Sequence, residues 1–247
     1  MNKISVITVT YNCQESIGKT MKSVLTQTYQ DMEYLIIDGN SVDDTIKIAR
    51  LLANFNTKIY SELDNGIFDA MNKGIEKATG DWIIFMNAGD TFADIDVCSK
   101  IFCKDYDKEV GVVFGNVYSS DNGTIKEFSM TPFFDVNKKL KGMGICHQSI
   151  FMRINVAKQY KFDVSYKLAA DYDMIKKVYD SGWKFVKTPV YVAIYDRRGV
   201  SSSNMISQFY EEARICNCKT GAEYYFKLLI IYKATLKRKL KHTLFYR

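Results

Sequence analysis

Four short apolar runs in the first ninety residues each end in a polar cluster, and this repetition constrains the fold more than any other feature of the chain. Ile4–Val9 ends in Thr10-Tyr11-Asn12, and Tyr34–Ile37 in Asp38-Gly39-Asn40-Ser41. Ile59 and Tyr60 lead into Glu62, Asp64, Asn65 and Gly66, and Ile83–Met86 ends in Asn87-Ala88-Gly89-Asp90. Runs that are β-branched or aromatic and uninterrupted by polar residues are expected of strands covered on both faces. Between them, Ser16–Thr28, the stretch after Asp43-Asp44-Thr45 and Ile67–Ala78 carry apolar residues at helical spacing. Ser16 is placed to cap the first helix, the acids at 43 and 44 to complement the second, and Gly80 to lie just past the third. The order β-α-β-α-β-α-β predicts an α/β fold with a mostly parallel, Rossmann-like central sheet. Ligands of such sheets sit at the carboxyl ends of the strands, so the four clusters are expected to converge on one edge.

Beyond residue 95 the pattern changes. Val110–Val117 and Thr124–Met130 read as strands flanking the hairpin signal Asp121-Asn122-Gly123. Ser149–Met152 reads as a short strand, Ala169–Ser181 as a helix stopped by Gly182, and Phe185–Ile194 as a last strand. We expect a catalytic domain over 1–204, with a nucleotide-binding half at 1–95 and an acceptor half at 96–204. A helical, basic, amphipathic extension follows at 205–247.

Charge marks that extension. The chain carries a formal net charge of +6, and Lys227, Lys233, Lys237, Arg238, Lys239, Lys241 and Arg247 fall in Tyr224–Arg247 without an Asp or Glu. Without those seven, residues 1–223 hold 27 basic against 28 acidic side chains. A basic amphipathic segment suits the anionic inner face of a cytoplasmic membrane, and packing back onto the body is the alternative. No nucleic-acid recognition motif accompanies the charge, so nucleic acid is not expected as a partner. No secretory signal and no apolar run of membrane-spanning length is visible, and six cysteines without a Cys-x-x-Cys pair suit reduced thiols. Together these lead to the expectation of a cytoplasmic protein peripherally attached to the membrane.

The motifs carry a resemblance. Val6-Ile7-Thr8-Val9-Thr10-Tyr11-Asn12, Ile36-Ile37-Asp38-Gly39-Asn40-Ser41-Val42-Asp43-Asp44-Thr45, Asn65–Gly74, Gly80–Asp90 and Ala170-Asp171-Tyr172-Asp173 follow one another in the order and spacing of family 2 glycosyltransferases of the GT-A fold. Ser61-Glu62-Leu63-Asp64 resembles the branch that assembles bacterial surface polysaccharides of the colanic-acid type. The resemblance covers about residues 1–200. It implies an inverting enzyme that moves a sugar from a nucleoside-diphosphate sugar, most simply a UDP-sugar, to a polysaccharide or lipid-linked saccharide.

The resemblance and the residue chemistry together assign expected roles. Thr10 and Tyr11 close the first strand, with Tyr11 stacking on a base and Asn12 shaping the turn. Asp38 is expected to accept from a ribose hydroxyl or base N–H. Relatives commonly carry a second Asp where this chain has Gly39, which leaves the base contact open. Asp64 and Lys73 are placed for the nucleotide, Lys73 toward phosphate or sugar. Asn87-Ala88-Gly89-Asp90 occupies the place of the family's metal-binding Asp-x-Asp, with Asp90 the remaining carboxylate for a divalent cation, Mg or Mn, and Asn87 an amide contact. Asp171 is expected as the general base, with Asp173 as competitor, since an acid in a first helical turn is favoured in its ionised form. His147 and Gln148 are candidates for acceptor or diphosphate contact, and Arg197 and Arg198 for a diphosphate-binding loop. Two other readings compete. One is a nucleotidyltransferase, although Thr10–Glu15 offers no phosphate grip. The other is a non-catalytic, membrane-associated sugar-nucleotide-binding module, which the depleted acidic motif would suit.

Overall fold

The computed structural model describes residues 2–121, 124–130, 144–196, 204–218, 220–222 and 224–233. Among these, β1 (Ile4–Thr10), β2 (Met32–Asp38), β3 (Thr57–Ser61) and β4 (Trp82–Phe85) are linked by α1 (Ile17–Leu25), α2 (Thr45–Leu52) and α3 (Ile67–Lys77). Then come β5 (Thr91–Phe92), α4 (Val97–Ile101), β6 (Val110–Asp121), β7 (Thr124–Phe128), β8 (Ile150–Arg153), α5 (Ile154–Tyr160), α6 (Ala170–Asp180), β9 (Lys184–Asp196) and α7 (Met205–Ile215). The sheet runs β3-β2-β1-β4-β8-β6-β9-β5, with β7 on β6. β1 to β4 pair in parallel as the periodicity predicts. The acceptor-side strands mix directions: β8 is antiparallel to both β4 and β6, whereas β9 is parallel to β6.

In the first half β1, β2 and β4 are buried on both faces, whereas the edge strand β3 is half-exposed, and the alternation of the buried strands divides the core. Ile4, Val6, Tyr34, Ile36, Trp82 and Ile84 pack with α1 and α4 on one face. Ile7, Val9, Leu35, Ile37, Ile83 and Phe85 pack with α3, α5 and α6 on the other. β1, β2 and β4 thus each serve two helical layers, which is why their sequences are dominated by apolar residues on both faces.

Local signals at the helix starts act differently from their simplest reading. Ser16 occupies the N-cap of α1 without a side-chain capping bond, and its hydroxyl lies 3.4 Å from the Cys13 carbonyl instead. No acid lies in the first turn of α2; Asp43 sits before it and accepts the Thr45 N–H at 2.9 Å. Gly80 is required by proximity rather than by helix termination. A Cβ there would stand 2.7 Å from Ser5 Oγ and 2.8 Å from the Lys3 carbonyl. The strand predicted from Ser149 begins one residue later, because His147–Ser149 forms a 3-10 turn. Asn122 and Gly123 of the predicted turn lie outside the described residues.

The extension predicted from residue 205 is helical where it is described. Phe209 and Ala213 of α7 form a small cluster with Tyr224, Leu228 and Ile231 of the helical residues 224–233. Lys227 approaches Glu212 at 3.7 Å. The opposite face leaves Tyr225, Phe226, Leu229, Ile230 and Tyr232 at least half exposed. Packing and an outward apolar face therefore coexist on one helix. No helix among the described residues is long and apolar enough to cross a membrane.

The end of the sheet away from the polar clusters is tied by Glu33, which is 4% exposed. Its carboxylate accepts from Ser5 Oγ at 2.6 Å, from the Thr79 N–H at 2.6 Å and from Lys58 at 3.1 Å. Burial pushes its pKa up, but these bonds outweigh burial and hold it at about 2. A carboxyl depressed in the folded state stabilises above its unfolded pKa, and that stability is lost as pH falls toward the folded value. The shift corresponds to about 3 kcal/mol. We expect Glu33→Gln to be less stable than wild type at pH 7 and to show a flatter stability profile between pH 5 and 2. Urea unfolding across that range checks both, and parallel profiles would refute the assignment.

Candidate active site

Register places the first three polar clusters level with one another. Thr10 pairs with Asp38, and Asp38 with Ser61, at the carboxyl ends of β1, β2 and β3. The chain moves outward from β1 to β3 and then returns to the other side of β1 at β4, creating the switch point at which α/β sheets bind ligands.

Around that crevice the nucleotide-side residues differ in what they leave available. Tyr11 is 60% exposed at the mouth. Asn12 takes a left-handed φ of 49°; its N–H donates to Ser41 Oγ at 2.8 Å and its side-chain oxygen accepts from the Val42 N–H at 3.0 Å. Thr10 is buried, and no hydrogen bond reaches its hydroxyl. Asp38 is fully buried. Its carboxylate accepts the Ser41 N–H at 2.9 Å, the Ser41 hydroxyl, and the Ser61 hydroxyl at 2.6 Å. The expected ribose or base acceptor is thus engaged in organising the two loops. The sequence reading names Ser41 and Ser61 within its motifs but does not foresee their bonds to Asp38, although a Ser three residues after an Asp is a turn signal.

Asp64 stands where the missing second acid of Asp38-Gly39 would point. A Cβ on Gly39 would lie 2.5 Å from Asp64 Oδ2 and 3.4 Å from the Tyr11 ring. Asp64 Oδ1 accepts the Gly66 N–H at 2.9 Å. Gly39 and Asp64 therefore share one volume, and the carboxylate comes from β3's loop instead of β2's. Lys73, expected to meet phosphate or sugar, is instead engaged by that loop: its ammonium donates to the Leu63 carbonyl and lies 3.7 Å from Asp69 and 3.9 Å from Glu62.

The other wall is built by β8. Antiparallel pairing sets Trp82 opposite Arg153 and Ile83 opposite Met152, which carries the residues before β8 to the carboxyl end of β4. There Asn87 Nδ2 lies 3.1 Å from His147 Nε2, and Gln148 Nε2 donates to Asp90 Oδ2 at 2.9 Å. His147 Nδ1 faces Asp171 Oδ2 at 3.4 Å. Burial pushes the imidazole down, but Asp171 beside it and Asp90 more distantly outweigh burial and raise His147 above its ordinary value. Asp171 lies in the first turn of α6 and is partly exposed, and its Oδ1 accepts the Tyr172 N–H at 2.8 Å. Asp173 is buried and ion-paired with Lys177 at 2.6 Å, which removes it from competition with Asp171 for a solvent-facing role. An apolar pocket beneath His147 and Asp171 is lined by Phe85, Ile150, Phe162 and Met174.

The donor set at the β4 end suits a hard cation. Asp90 offers a carboxylate, and Asn87 Oδ1 is buried with no hydrogen-bond partner. No cluster of three or more His, Cys, Asp or Glu forms a complete cage among the described residues, so a cation here would need ligands from substrate. Arg197 and Arg198 lie outside the described residues.

A sequence model of the family described as Glycosyl transferase family 2 matches residues 5–168. The chain belongs to this family. It is 28% identical over 211 residues to a PGL/p-HBAD biosynthesis glycosyltransferase of Mycobacterium bovis, covering 83% of this chain and 80% of that protein. It is 24% identical over 255 positions to the Escherichia coli UDP-Glc:alpha-D-GlcNAc-diphosphoundecaprenol beta-1,3-glucosyltransferase WfaP, covering 100% of this chain and 98% of that one. Among solved structures, Staphylococcus aureus TarS 1–349 in complex with UDP-GlcNAc superimposes with a TM-score of 0.71 at 20% identity over 87% of this chain. The match spans 65% of that TarS chain. The Pyrobaculum calidifontis mannosyltransferase PcManGT, in complex with GDP-Man and Mn2+, gives 0.67 at 16% identity, covering 94% of this chain and 69% of that one. The fold is GT-A, and the protein is a glycosyltransferase.

The shared volume of Gly39 and Asp64 makes a sharp prediction. Gly39→Ala should destabilise this glycosyltransferase by about 1–3 kcal/mol, the usual cost of forcing an extra methyl into a filled site. Asp64→Ala in the same chain should recover most of that loss. Chemical denaturation of both singles and the double gives the coupling, and simple additivity would separate the two positions.

Proposed function

We propose that this glycosyltransferase is an inverting enzyme that transfers a sugar from a UDP-sugar to a hydroxyl of a lipid-linked saccharide or growing surface polysaccharide. The observation that carries the reading is the continuous polar path from Asp90 and Asn87 at the end of β4, through Gln148 and His147, to Asp171. It brings a donor-side carboxylate and a solvent-reachable acid to one crevice, which a non-catalytic binding module would not require. The resemblance of this chain to WfaP over its whole length supports the donor and acceptor classes.

In this reading Tyr11 stacks on the base and the Asp64 carboxylate reads its edge, in the space beside Gly39. Asp38, Asn12 and Lys73 hold the surrounding loops. Asp171 takes the proton of the acceptor hydroxyl while that oxygen attacks the anomeric carbon. The bond from that carbon to the diphosphate oxygen breaks on the opposite side, inverting the configuration. His147, fixed between Asn87 and Asp171, orients the carboxylate: its Nε2 accepts from the Asn87 amide, which leaves the proton on Nδ1, facing Asp171. Asp90, with Asn87 Oδ1, would hold a divalent cation that offsets the charge of the leaving group. Arg197 and Arg198 suit the same diphosphate by their bidentate geometry. The basic tail and the outward apolar face of residues 224–233 support a reading in which the enzyme attaches to the anionic inner surface of the cytoplasmic membrane, where a lipid-linked acceptor would be held.

Three outcomes test this. Asp171→Asn should lower turnover by about 10²–10⁴ with sugar-nucleotide affinity nearly unchanged. Asp173→Asn should cost stability rather than turnover, and the reverse pattern would overturn the assignment of the base. Asp90→Ala should weaken UDP binding more than uridine binding in the presence of Mn2+; equal UDP affinity of the wild type with and without chelator would remove the cation. A chain ending at Lys233 keeps the packed helix but loses the five basic residues beyond it. It should bind nucleotide normally yet bind anionic vesicles more weakly, and unchanged vesicle binding would exclude the basic tail from membrane attachment.

A further inference from the structure

The family match ends at residue 168, three residues before Asp171. What holds that junction comes from farther along the chain. The Glu211 carboxylate, on α7, accepts three successive backbone N–H groups: Lys167 on Oε1, and Leu168 and Ala169 on Oε2, each at 2.9 Å. Ala169 is the N-cap residue of α6 and has no side chain that can cap. Unpaired N–H groups at such a junction are costly, and short polar N-caps normally satisfy them locally. Here an acid 42 residues away supplies the acceptors.

Neighbouring contacts fix the same segment from the same helix. The Arg214 guanidinium stacks 4.0 Å from the Tyr166 ring centre and donates to Ser165 Oγ at 3.3 Å. Just past Asp171, the Tyr172 hydroxyl meets Cys216 Sγ at 2.9 Å. α7 thus grips the chain on both sides of Asp171 while leaving its carboxylate facing His147. The gripped segment also walls a cleft, in which Val164, Tyr166 and Lys167 face Asn65–Asp69 at the start of α3.

We propose that Glu211 is a positioning residue for the transfer reaction: by gathering the three N–H groups before α6 it sets the position of Asp171 against the acceptor. The inference rests on the reading of Asp171 as the base. Charge-assisted bonds to three adjacent amides are short and directional, so they fix the backbone more tightly than neutral contacts. A displacement of about 1 Å at a reacting group can lower turnover by about a hundredfold. Glu211 should therefore act on kcat more than on donor binding.

The test uses the full-length chain and whichever of UDP-glucose, UDP-GlcNAc and GDP-mannose it converts, with release of the nucleoside diphosphate as the readout. Glu211→Ala should lower kcat about 10–100-fold with the donor KM within about twofold of wild type, and Glu211→Gln, which keeps one acceptor oxygen, should fall between. In an Asp171→Asn background Glu211→Ala should add little, because it acts through the residue already removed. Independently of any donor, hydrogen exchange in Glu211→Gln should rise at amides 167–169 and spread to 170–172, with the β1 to β4 strands unchanged. Exchange confined to 167–169, full kcat in Glu211→Ala, or additive losses in the double variant would each overturn the proposal. If Asp171→Asn itself keeps full turnover while the exchange spreads as expected, the base assignment fails and the clamp stands. If Glu211→Ala does not fold, Glu211→Gln and its exchange pattern decide alone.

Discussion

The antiparallel pairing of β8 with β4 is the constraint on which the site depends. A sheet continued in parallel would have carried residues 147 and 148 to the opposite edge. Because β8 runs the other way, its leading turn arrives beside the carboxyl end of β4. His147 then stands against Asn87, and Gln148 against Asp90. Strand direction, more than any single side chain, makes one crevice of two chain halves. The parallel half alone offers level loops from Thr10 to Ser61, and it lacks the wall that brings in Asp171.

Much of this was legible in the residues. Buried parallel strands read as predominantly apolar, β-branched or aromatic runs because both faces are covered, and β1, β2 and β4 were found that way. The grouping of polar residues at their ends followed from the strand-helix alternation alone. What stayed out of reach was pairing: nothing in Ile150–Arg153 states which strand it joins or in which direction. Sequence likewise gave no sign of the protein partners of Asp38 and Lys73, which are the Ser41 and Ser61 hydroxyls for the first and the Leu63 carbonyl for the second. A carboxylate and an ammonium look identical in sequence whether their partners are substrate or protein.

The Asp38-Gly39 pair shows how a departure from a family pattern can be read in space. Taken alone, the glycine looks like a loss of recognition chemistry. Beside Asp64 Oδ2, it is the vacancy that lets an acid from another loop occupy the position. A carboxylate from the loop after β3 thus stands in the space that a side chain at position 39 would fill. Glu211 poses the same difficulty over a longer span: its partners are main-chain amides, which leave no trace in the identities of residues 167–169.

The helix over 224–233 has a consequence for geometry. Its inner face is fastened to α7 by Phe209, Tyr224 and the Glu212–Lys227 pair, so its outer face points in one fixed direction relative to the body. A flexible tail would hold an enzyme near a surface at any tilt, as a leash does. A fastened helix works as a keel: under the membrane attachment proposed above, adsorption through its outward aromatic and aliphatic side chains would set the angle at which the crevice meets the surface. For the proposed acceptor, whose lipid end would be confined to a plane, that angle would determine how far above the plane the reacting hydroxyl must stand, and hence which acceptor lengths could be reached.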